Sequence, residues 1–413
     1  MRTIFHIDVN SAYLSWTSVE NLKTGNGPDL REIPAIIGGD QKTRHGVVLA
    51  KSIPAKKFGI HTGEPVVNAL KKCPNLVMAP PNHDLYHAYS CRMMDFLHSL
   101  TPDIEQVSID ECFLDFTGIS HRYPSPYAAA RYIKDEIHSR FGFTVNVGIS
   151  SNKLLAKMAS DFEKPDKVHT LFPEEIPVKM WPLPVRDLLF LGKSSEKKLK
   201  EAGIRTIGDL AHEKKPKIQA LLGEKAGQQL YRYARGLDDS PVKMKPDEAK
   251  GFSLETTFND DLVSMEQALP ILLEQCDVLA ARMRRKKKKC TCISVTFRTL
   301  DFQNRSHQMK LKNATDITDE IYFHARKLFE ESWRGQPLRL LGVSLTGLTD
   351  DSFEQLSFFE DTREKERRQK LDAALDSIRL KYGNDKVTRA SIMNSTARIG
   401  RKAKAQMENE REQ

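Results

Sequence analysis

The segment Ile104–Phe116, IEQVSIDECFLDF, places two adjacent carboxylates, Asp110 and Glu111, between two runs of strand-forming residues. Residues 104–108 and 112–116 are rich in β-branched and apolar side chains, which predicts two strands joined by a hairpin. Neighbouring carboxylates repel each other, and burial disfavours their ionised forms. The pair is therefore costly for folding alone and indicates a binding function at this turn.

A third carboxylate, Asp8, closes the first predicted strand, Thr3–Val9. If Asp110 and Glu111 occupy a hairpin tip, strand alternation does not separate them, and both can face the end of a neighbouring strand. Three carboxylates at one place need compensating positive charge, and hard oxygen ligands select Mg²⁺ or Mn²⁺. A solvated hairpin unrelated to Asp8 explains the same spacing, so spacing alone leaves both interpretations open.

The length and charge of the chain indicate several domains and a polyanionic partner. With 413 residues it is long enough for about three domains. Residues 1–166 contain 18 Lys and Arg against 18 Asp and Glu, so the net charge of +9 arises wholly after residue 166. A neutral first part followed by basic parts suits chemistry in the one and nucleic-acid binding in the others, although basic surfaces also serve solubility alone.

Cysteine usage and hydropathy indicate a soluble, cytosolic protein. The 6 cysteines are scattered without a C-x-x-C pair, which argues against a disulfide scaffold and against structural zinc. The first residues are charged and strand-like, unlike a signal peptide, and no run approaches the ~18 apolar residues of a membrane-spanning helix. We therefore predict a cytoplasmic location and no membrane partner.

Secondary-structure signals divide the chain into an α+β part, a helical part and a second α+β part. Strands and helices alternate up to about residue 166, which predicts a mixed or antiparallel sheet with helices on one face. From Val168 to Leu237 we predict short helices without strands, and Asp238–Glu248, with two prolines, has the composition of a linker. Strands and helices return from Lys250 to Thr346, and a short helix near Lys365–Lys381 follows in a charged tail.

Five ordered motifs carry a family resemblance. They are HIDVNSAYLSWTSVE (6–20), VLAKSIPAKKFGI (48–60), QVSIDECFLDF (106–116), VGISSNKLLAKMASDFEKPD (147–166) and PLRLLGVSLTGL (337–348). In this order and at these distances they resemble the Y-family translesion DNA polymerases, the DNA polymerase IV group in particular. The resemblance implies template-directed addition of dNTPs to a primer 3′-hydroxyl, at low fidelity, without proofreading, and on damaged templates.

The resemblance also implies an α+β multidomain fold of the right-hand polymerase type. It places a ferredoxin-like palm at 1–10 and 78–166, small fingers at 11–77, a helical thumb with a helix-hairpin-helix at 167–236, a linker at 237–245, an α+β little finger at 246–348 and a tail at 349–413. The expected partners are primer–template DNA and dNTP, and the protein is expected to be a monomer.

By the same resemblance, the carboxylates of the opening segment bind metal. Matched residue by residue, Asp8, Asp110 and Glu111 would hold two Mg²⁺ ions, with Mn²⁺ as an alternative and the carbonyl of Val9 as a backbone ligand. Glu111 lies at the position that the family treats as catalytic, where it helps to place the metal at the primer 3′-hydroxyl. Such metals lower the pKa of the nucleophile and neutralise charge on the triphosphate.

Four residues match nucleotide-binding positions of the family. Tyr13 lies where an aromatic ring under the sugar excludes a 2′-hydroxyl, although an aromatic residue at a helix start also packs in many cores. Leu49 matches the roof over the nascent base pair, while Lys56 and Lys164 match contacts to the triphosphate. A lysine in a last helical turn also complements the helix dipole, so Lys164 has a second explanation.

Two further lysines, Lys153 and Lys157, fall on nearly the same predicted helix face as Lys164. They either extend the anion site or are solvated.

The fingers motif departs from the family: most relatives carry Asn-Tyr-Pro-Ala-Arg where this chain has Ser52-Ile-Pro-Ala-Lys56. Ile53 cannot hydrogen-bond a phosphate, and lysine offers a point charge in place of the planar fork of arginine. We therefore predict weak dNTP affinity relative to typical members.

Two segments resemble DNA contacts of the family. Phe190-Leu-Gly-Lys193 resembles a helix-hairpin-helix in which Gly192 and Lys193 offer backbone N–H groups to a phosphate, with Phe190 in place of the usual first glycine. The second segment is a basic run with seven positive charges in eight positions, from which we predict phosphate contacts by Arg282, Arg284, Arg285, Lys286 and Lys287. A solvated helix end is the alternative for this run.

The tail contains a short motif, QLSFF, that resembles the peptide by which bacterial polymerases bind the sliding clamp. The predicted contacts are Gln355, Leu356, Phe358 and Phe359, since a glutamine with apolar anchors suits a peptide-in-pocket interaction. Local packing of the two phenylalanines on the little finger is the alternative.

Two other functions remain as alternatives. One is a catalytically weakened DNA-binding accessory protein of the same fold, which Ile53 and Lys56 favour and the intact carboxylates Asp8, Asp110 and Glu111 oppose. The other is a palm-fold nucleotide cyclase or a metal nuclease, which the resemblance of the thumb and little finger disfavours.

Overall fold

Residues 2–39, 46–350, 362–383 and 386–392 are described by a computed structural model of the chain. The chain divides into two units, with a boundary between Pro246 and Asp247. The first unit contains two sheets and the second contains one, and each unit has its own apolar core, as expected for a chain of this length.

The first unit begins with a strand, a helix and a small sheet. The elements are β1 (Ile4–Val9), α1 (Ala12–Thr24), β2 (Ala35–Gly38), β3 (Val48–Lys51), α2 (Ile53–Lys57), α3 (Val66–Lys72) and β4 (Val77–Ala79). Strands β3, β2 and β4 form a three-stranded sheet in that order, antiparallel between β2 and β3 and parallel between β2 and β4. Helix α3 and strand β4 were not predicted from the sequence.

A five-stranded sheet with β1 at its centre forms the main scaffold of this unit. The elements that follow are α4 (His83–His98), β5 (Ile104–Gln106), β6 (Glu111–Asp115), α5 (Pro126–Phe141), β7 (Val145–Ser150), α6 (Lys153–Ser160) and β8 (Val168–Thr170). The strand order is β5-β6-β1-β7-β8, and β1 pairs antiparallel with both neighbours. The succession β1-α4-β5-β6-α5-β7 with this order is the ferredoxin-like topology, so that prediction is confirmed.

Strand alternation separates the two faces of this sheet. Phe5 and Ile7 of β1 and Leu114 of β6 pack with the apolar faces of α4 and α5 in the larger core. The other face of the sheet is covered by α6, where Ile4, Phe113 and Ala156 form a small cluster. The side chains of β1 that face α6 therefore include polar residues, which the main core would not accommodate.

One prediction about the following segment was wrong. Strand β8 pairs parallel with β7, although no strand was predicted between Val168 and Leu237. Three residues are too few to reveal a period of two, and the pairing depends on a partner more than fifteen residues earlier.

Five α-helices come next: α7 (Ile176–Lys179), α8 (Lys193–Glu201), α9 (Ile207–His212), α10 (Lys215–Leu222) and α11 (Glu224–Tyr233). They share a core that includes Leu199, Ile207 and Leu230.

The second unit repeats the alternation of strands and helices. Its elements are β9 (Gly251–Leu262), α12 (Met265–Arg285), β10 (Lys288–Thr299), β11 (Asn304–Thr315), α13 (Thr318–Ser332), β12 (Leu338–Asp350) and α14 (Thr362–Tyr382). The four strands form an antiparallel sheet in the order β11-β10-β12-β9. Its core contains Phe297 and Leu341 from the sheet, Leu279 from α12 and Phe329 from α13. Across the described ranges, no helix has the length and apolar character needed to cross a membrane.

Candidate active site

The register of two strands brings two of the predicted carboxylates side by side. Asp8 on β1 lies directly opposite Glu111 on β6. Glu111 is the first residue of its strand, whereas Asp110 precedes the strand and accepts a hydrogen bond from Ser108 Oγ at 2.6 Å. The backbone carbonyl of Asp110 accepts the N–H of Val9 at 3.0 Å, which ties the turn to the end of β1. The expected hairpin tip is therefore present, with only Asp110 in the turn itself.

Two lysines cover the carboxylates. Lys157 on α6 lies with its Nζ 3.1 Å from Asp8 Oδ2 and 2.8 Å from Glu111 Oε2. Lys164, four residues after the helix, lies 2.8 Å from the same Asp8 oxygen. Lys153, predicted on the same face, contacts Glu105 at 2.7 Å and lies outside this group. The acids and the two ammonium groups thus form one charge cluster, in which positive charge is supplied to the carboxylates.

Helix α6 can reach the carboxylates because one residue beneath it lacks a side chain. Gly148 on β7 pairs with His6 of β1, and a Cβ added there would lie 2.0 Å from the carbonyl oxygen of Ala156 and 2.5 Å from the backbone nitrogen of Ser160. No real Cβ approaches backbone atoms this closely. Glycine at this position is therefore required for the packing that places Lys157 over the two acids.

His6 is a member of the site that the sequence analysis missed. It precedes Asp8 by two residues in β1, so both side chains lie on the same face of the sheet. Its ring is 1% exposed, its Nε2 lies 3.3 Å from Glu111 Oε2, and its Nδ1 lies 2.8 Å from Ser160 Oγ. The alternation in HIDVN is the signal that could have identified it.

The electrostatics of the site favour the ionised form of Glu111 and disfavour the ionised form of Asp110. The hydrogen bond from His6, together with Lys157, lowers the pKa of Glu111 to about 2, against the opposing effect of burial. Burial raises the pKa of Asp110, and repulsion from Asp8 and Glu111 adds to this, while the bond from Ser108 opposes it. Burial lowers the pKa of Lys157, but its acidic neighbours outweigh burial and the pKa is raised overall. An added cation would relieve the repulsion on Asp110.

The donor atoms suit a hard divalent cation. Within the described ranges, one group of possible ligands has its atoms within 4.8 Å of one another, formed by His6, Asp8 and Glu111. Asp110 is not in this group, but its turn is tied to Val9, and burial and the charges of Asp8 and Glu111 raise the pKa of its carboxyl group. Oxygen donors with the net negative charge of several carboxylates are typical of Mg²⁺ and Mn²⁺ sites.

A cavity of about 430 Å³ adjoins the carboxylates. Asp8, Val9 and Asp110 line it, together with all four residues predicted to bind nucleotide: Tyr13, Leu49, Lys56 and Lys164. Ile53 also lines the cavity, so the departure from the family motif lies at this site. The ring of Tyr13 stacks on Tyr86 with centroids 4.3 Å apart, which fixes its orientation at the cavity wall.

Lys51 lines the same cavity and was not predicted. Burial lowers its pKa, and the charge of Lys56 lowers it further, while Glu64 opposes both. Its Nζ donates to Thr62 Oγ1 at 3.4 Å, and neither Lys51 nor Lys56 forms an ion pair with an Asp or Glu of the described chain. Lys51 follows Leu49 by two residues in β3, so strand alternation could have revealed it.

The predicted phosphate-binding turn lies at the start of α8. Gly192 precedes the helix, and Lys193 is its first residue. Phe190, which replaces the usual glycine, has a φ of 65° and is 71% exposed. This position thus keeps the left-handed backbone that normally favours glycine, and it adds an exposed ring beside the N–H groups of the helix start.

In the basic run of the second unit, the structure leaves fewer residues accessible to a DNA phosphate than the sequence predicts. Arg282 is buried, and Arg284 lies within 3.1 Å of Asp372 and 2.7 Å of Asp376, both on α14. An arginine already paired with two carboxylates is a poor phosphate contact, and a buried one is poorly accessible, so the predicted contacts of Arg282 and Arg284 are disfavoured. Arg284 is paired because α14 brings Asp372 and Asp376, more than eighty residues later in the chain, to this end of α12.

The remaining predicted contacts of this run, Arg285, Lys286 and Lys287, are exposed.

Two arginines of the segments that follow β12 extend the ion-pair network around Asp372. Arg379 lies 2.7 Å from the buried Asp277, and Arg389 lies 3.0 Å from Asp372. The helix near Lys365–Lys381 is thus part of the second unit. The predicted clamp-binding residues 355–359 lie outside the described residues.

Comparisons with known proteins agree with this geometry. The model of the impB/mucB/samB family matches residues 7–161, that of the impB/mucB/samB family C-terminal domain matches 249–358, and that of the DNA polymerase-iota thumb domain matches 186–238. The chain is 50% identical over 392 residues to a DNA polymerase IV from Clostridium acetobutylicum, covering 95% of this chain and 98% of the relative. It is 38% identical to a DNA polymerase IV from Alkaliphilus oremlandii, covering 94% and 98%.

A solved structure has the same fold. It is a chimera of Y-family DNA polymerases, and it matches with a TM-score of 0.71 at 22% identity, covering 84% of this chain and 99% of the chimera. The resemblance read from the five motifs therefore extends over most of the chain in both sequence and structure.

Proposed function

This chain belongs to the Y family of DNA polymerases, in the DNA polymerase IV group, and we infer from this membership that it copies template DNA, including damaged template, by adding dNTPs to a primer 3′-hydroxyl. The observation that carries the inference is the register that sets Asp8 opposite Glu111, with Asp110 beside them, next to a cavity lined by Tyr13 and lysines. An accessory protein without catalysis would not need this charge cluster.

Asp8, Asp110 and Glu111, with the carbonyl of Val9, are the residues that would hold two Mg²⁺ ions, or Mn²⁺ in their place. Bound there, the cations would lower the pKa of the primer 3′-hydroxyl and neutralise charge on the triphosphate. The chain keeps Glu111 ionised through its two N–H partners, so its carboxylate is ready to bind at neutral pH. Repulsion among the acids supplies affinity for the cations.

The cavity next to the carboxylates would hold the incoming dNTP. Tyr13, held by its stack on Tyr86, would lie under the sugar and exclude a 2′-hydroxyl. Leu49 would cover the nascent base pair, and Lys56 and Lys164 would neutralise the triphosphate. Palm, fingers and thumb are the roles we assign to 1–10 with 78–166, to 11–77 and to 167–236.

DNA is bound, in this proposal, by phosphate contacts that carry no sequence information. The first contact is the start of α8, through Gly192 and Lys193. The second is the exposed part of the basic run, Arg285, Lys286 and Lys287, in the little finger at 246–348. Binding through such contacts should weaken steeply with salt.

We also assign clamp binding to Gln355, Leu356, Phe358 and Phe359, on the sequence resemblance alone. A short peptide that ties a polymerase to a clamp on the DNA raises its effective concentration there. We also propose that the protein acts in the cytoplasm, where its template and dNTPs are, and that it acts as a monomer.

Primer extension by the wild-type protein tests the function. We expect addition of dNTPs to a 5′-labelled primer in the presence of Mg²⁺, opposite normal bases and opposite an abasic site, with no shortening of the primer when dNTPs are left out. Extension would fall as salt rises, since the DNA contacts are phosphate contacts. Absence of extension with both Mg²⁺ and Mn²⁺ would refute a polymerase and leave the accessory-protein alternative.

Lys51 is expected to support the dNTP affinity that Ile53 and Lys56 weaken. Two neighbouring cations on one cavity wall repel each other, and a triphosphate between them relieves that repulsion. In single-turnover kinetics we expect a weak dNTP Kd for the wild type and a further rise of about fivefold, on the order of 1 kcal/mol, in Lys51→Ala.

Lys57→Ala is the matched control for this prediction. Lys57 is exposed on α2 and does not line the cavity, so its loss should leave the Kd unchanged. A tight wild-type Kd, or equal effects of Lys51→Ala and Lys57→Ala, would contradict the role given to Lys51.

A further inference from the structure

His6 and Ser160 form a hydrogen-bonded chain behind Glu111. Ser160 Oγ lies 2.8 Å from His6 Nδ1, and His6 Nε2 lies 3.3 Å from Glu111 Oε2. The ring is buried, and Phe113 lies against it with ring centroids 4.7 Å apart. All of these groups belong to strands β1 and β6 and to helix α6, which packs on the same sheet. The hydrogen-bonded chain from Ser160 to Glu111 is therefore part of the regular framework of the palm.

We propose that His6 is a positioning residue for Glu111, held in its donating tautomer by Ser160. This rests on the polymerase function proposed above and goes beyond the carboxylates and the nucleotide cavity. His6 does not touch substrate in this assignment. It orients the oxygen of Glu111 that faces the sheet, so that the other oxygen is presented to the cation.

The tautomer follows from the partners of Ser160. Its hydroxyl has one proton and two acceptors within reach, His6 Nδ1 and the carbonyl of Lys157, each 2.8 Å away. If the proton went to the carbonyl, a neutral His6 would carry its own proton on Nδ1 and turn a bare Nε2 lone pair toward Glu111. A hydrogen bond to an ionised carboxylate is about twice as strong as one to a neutral carbonyl, so donation from Nε2 to Glu111 outweighs the hydrogen bond that Ser160 would otherwise donate to the carbonyl of Lys157. The serine proton therefore belongs on Nδ1 and the histidine proton on Nε2.

Glu111 Oε2 then receives two N–H donors. One is Nε2 of His6, and the other is Nζ of Lys157 at 2.8 Å. No hydrogen bond to Oε1 is found in the described part of the chain, so the two oxygens have different roles. A carboxylate held from behind in this way loses little freedom when its free oxygen binds a cation, and partners of this kind commonly affect metal affinity or activity by 10- to 100-fold.

The competing assignment is that His6 itself ligates the cation. Its Nε2 belongs to the group of possible ligand atoms within 4.8 Å of one another. Against this, Nε2 carries the proton in the tautomer that Ser160 imposes, and the ring is 1% exposed. Hard cations such as Mg²⁺ also prefer oxygen to imidazole nitrogen.

The test compares two substitutions that differ in reach. Glutamine places an amide N–H about where Nε2 lies, whereas asparagine ends about where Nδ1 lies. We expect His6→Asn to lower the single-turnover rate of incorporation by about 10- to 100-fold with the dNTP Kd changed less than about threefold. His6→Gln should recover the rate to within about threefold of the wild type. Equal losses in both variants, or no loss in either, would overturn the proposal.

A second readout does not depend on activity. In the complex with dNTP and a dideoxy-terminated primer, Mn²⁺ binding followed by electron paramagnetic resonance should weaken about tenfold in His6→Asn and remain near wild type in His6→Gln. Electron spin echo modulation of bound Mn²⁺ should lack a directly coordinated imidazole nitrogen. Unchanged Mn²⁺ affinity in His6→Asn, or an imidazole signal that His6→Gln removes, would overturn the positioning role.

Ser160 supplies an independent variant. Ser160→Ala should lower the incorporation rate several-fold by itself and have no further effect in the His6→Asn background, because the two residues act through one hydrogen-bonded chain. Ser150→Ala is the matched control, since Ser150 is equally buried but donates to the carbonyl of Leu171. Additive losses in the double variant would overturn the proposal. Failure of the wild type to extend primers would instead refute the polymerase function.

Discussion

Glu111→Gln is expected to reduce the single-turnover rate of dNTP incorporation by about 10³-fold or more, while binding of primer–template DNA stays within about twofold. Glutamine keeps the shape of the side chain but removes the negative charge that binds the cation, and each ~1.4 kcal/mol lost from the transition state costs tenfold in rate. The DNA contacts proposed above lie on other elements, so they should not change. Rapid-quench incorporation and fluorescence anisotropy with labelled DNA give the two measurements.

The same substitution should also lower stability. The pKa of Glu111 is about 2, depressed by His6 and Lys157, so its ionised form stabilises the fold at neutral pH. This contribution is present above the ordinary glutamate pKa of about 4.5 and is lost as pH falls toward 2. Since the side chain is partly exposed, the loss in Glu111→Gln should not exceed about 3 kcal/mol.

Asp115→Asn is the matched control for Glu111→Gln. Asp115 belongs to the same strand, β6, but pairs with Arg2 at the other end, away from the carboxylates. Its loss should leave incorporation within about twofold of the wild type. If Glu111→Gln retained more than a tenth of the wild-type rate, Glu111 could not be the catalytic carboxylate, and Asp8 with Asp110 would have to bind the cations alone.

The sequence predicts the parts of the fold and site that depend on local pattern. Alternating apolar residues located β1 and β6. The family resemblance of two separate motifs, residues 6–20 and 106–116, pointed to Asp8, Asp110 and Glu111. The cavity residues Tyr13 and Leu49 were found in the same way, because each belongs to a short motif whose neighbours are also recognisable. These features need information from only a few adjacent positions.

The features that the sequence does not predict depend on contacts between distant segments. Strand β8 becomes visible only beside β7, and the pairing of Arg284 depends on acids more than eighty residues later. A dense positive run is equally compatible with solvent, DNA and buried acids until those acids are placed. Whether such a run contacts solvent, DNA or buried acids therefore cannot be decided from the charge of the run alone.

His6 was missed for a different reason. The sequence shows that it shares a face with Asp8, but its role depends on Ser160, which is brought to the sheet only by the packing of α6. A lone histidine on a strand is more often a satisfied core residue than a functional one. Its assignment needs the partner on each side of the ring, and both partners come from other elements.

Gly148→Ala is expected to disable the site from beneath, without altering any residue that touches substrate. The added Cβ would lie 2.0 Å from the carbonyl oxygen of Ala156, and because the clash is with backbone, α6 must move away from β7. Overpacking of this kind typically lowers the free energy of unfolding by about 1 to 3 kcal/mol. Displacement of Lys157 and Ser160 by about 1 Å should lower incorporation by about 10²-fold.

The measurements that check Gly148→Ala are the midpoint of urea unfolding, amide hydrogen exchange in α6 and β7, and single-turnover incorporation by the folded fraction. Gly118→Ala is the control, since the nearest atom to its added Cβ is Asp103 Oδ2 at 3.9 Å, an ordinary contact. That variant should keep the wild-type midpoint and rate. Faster exchange confined to α6 and β7 in Gly148→Ala would tie the lost activity to this helix, because the carboxylates on β1 and β6 are unchanged. A wild-type midpoint together with a wild-type rate would mean that α6 does not rest on Gly148. The placement of Lys157 over the carboxylates and of Ser160 against His6 would then fail with it.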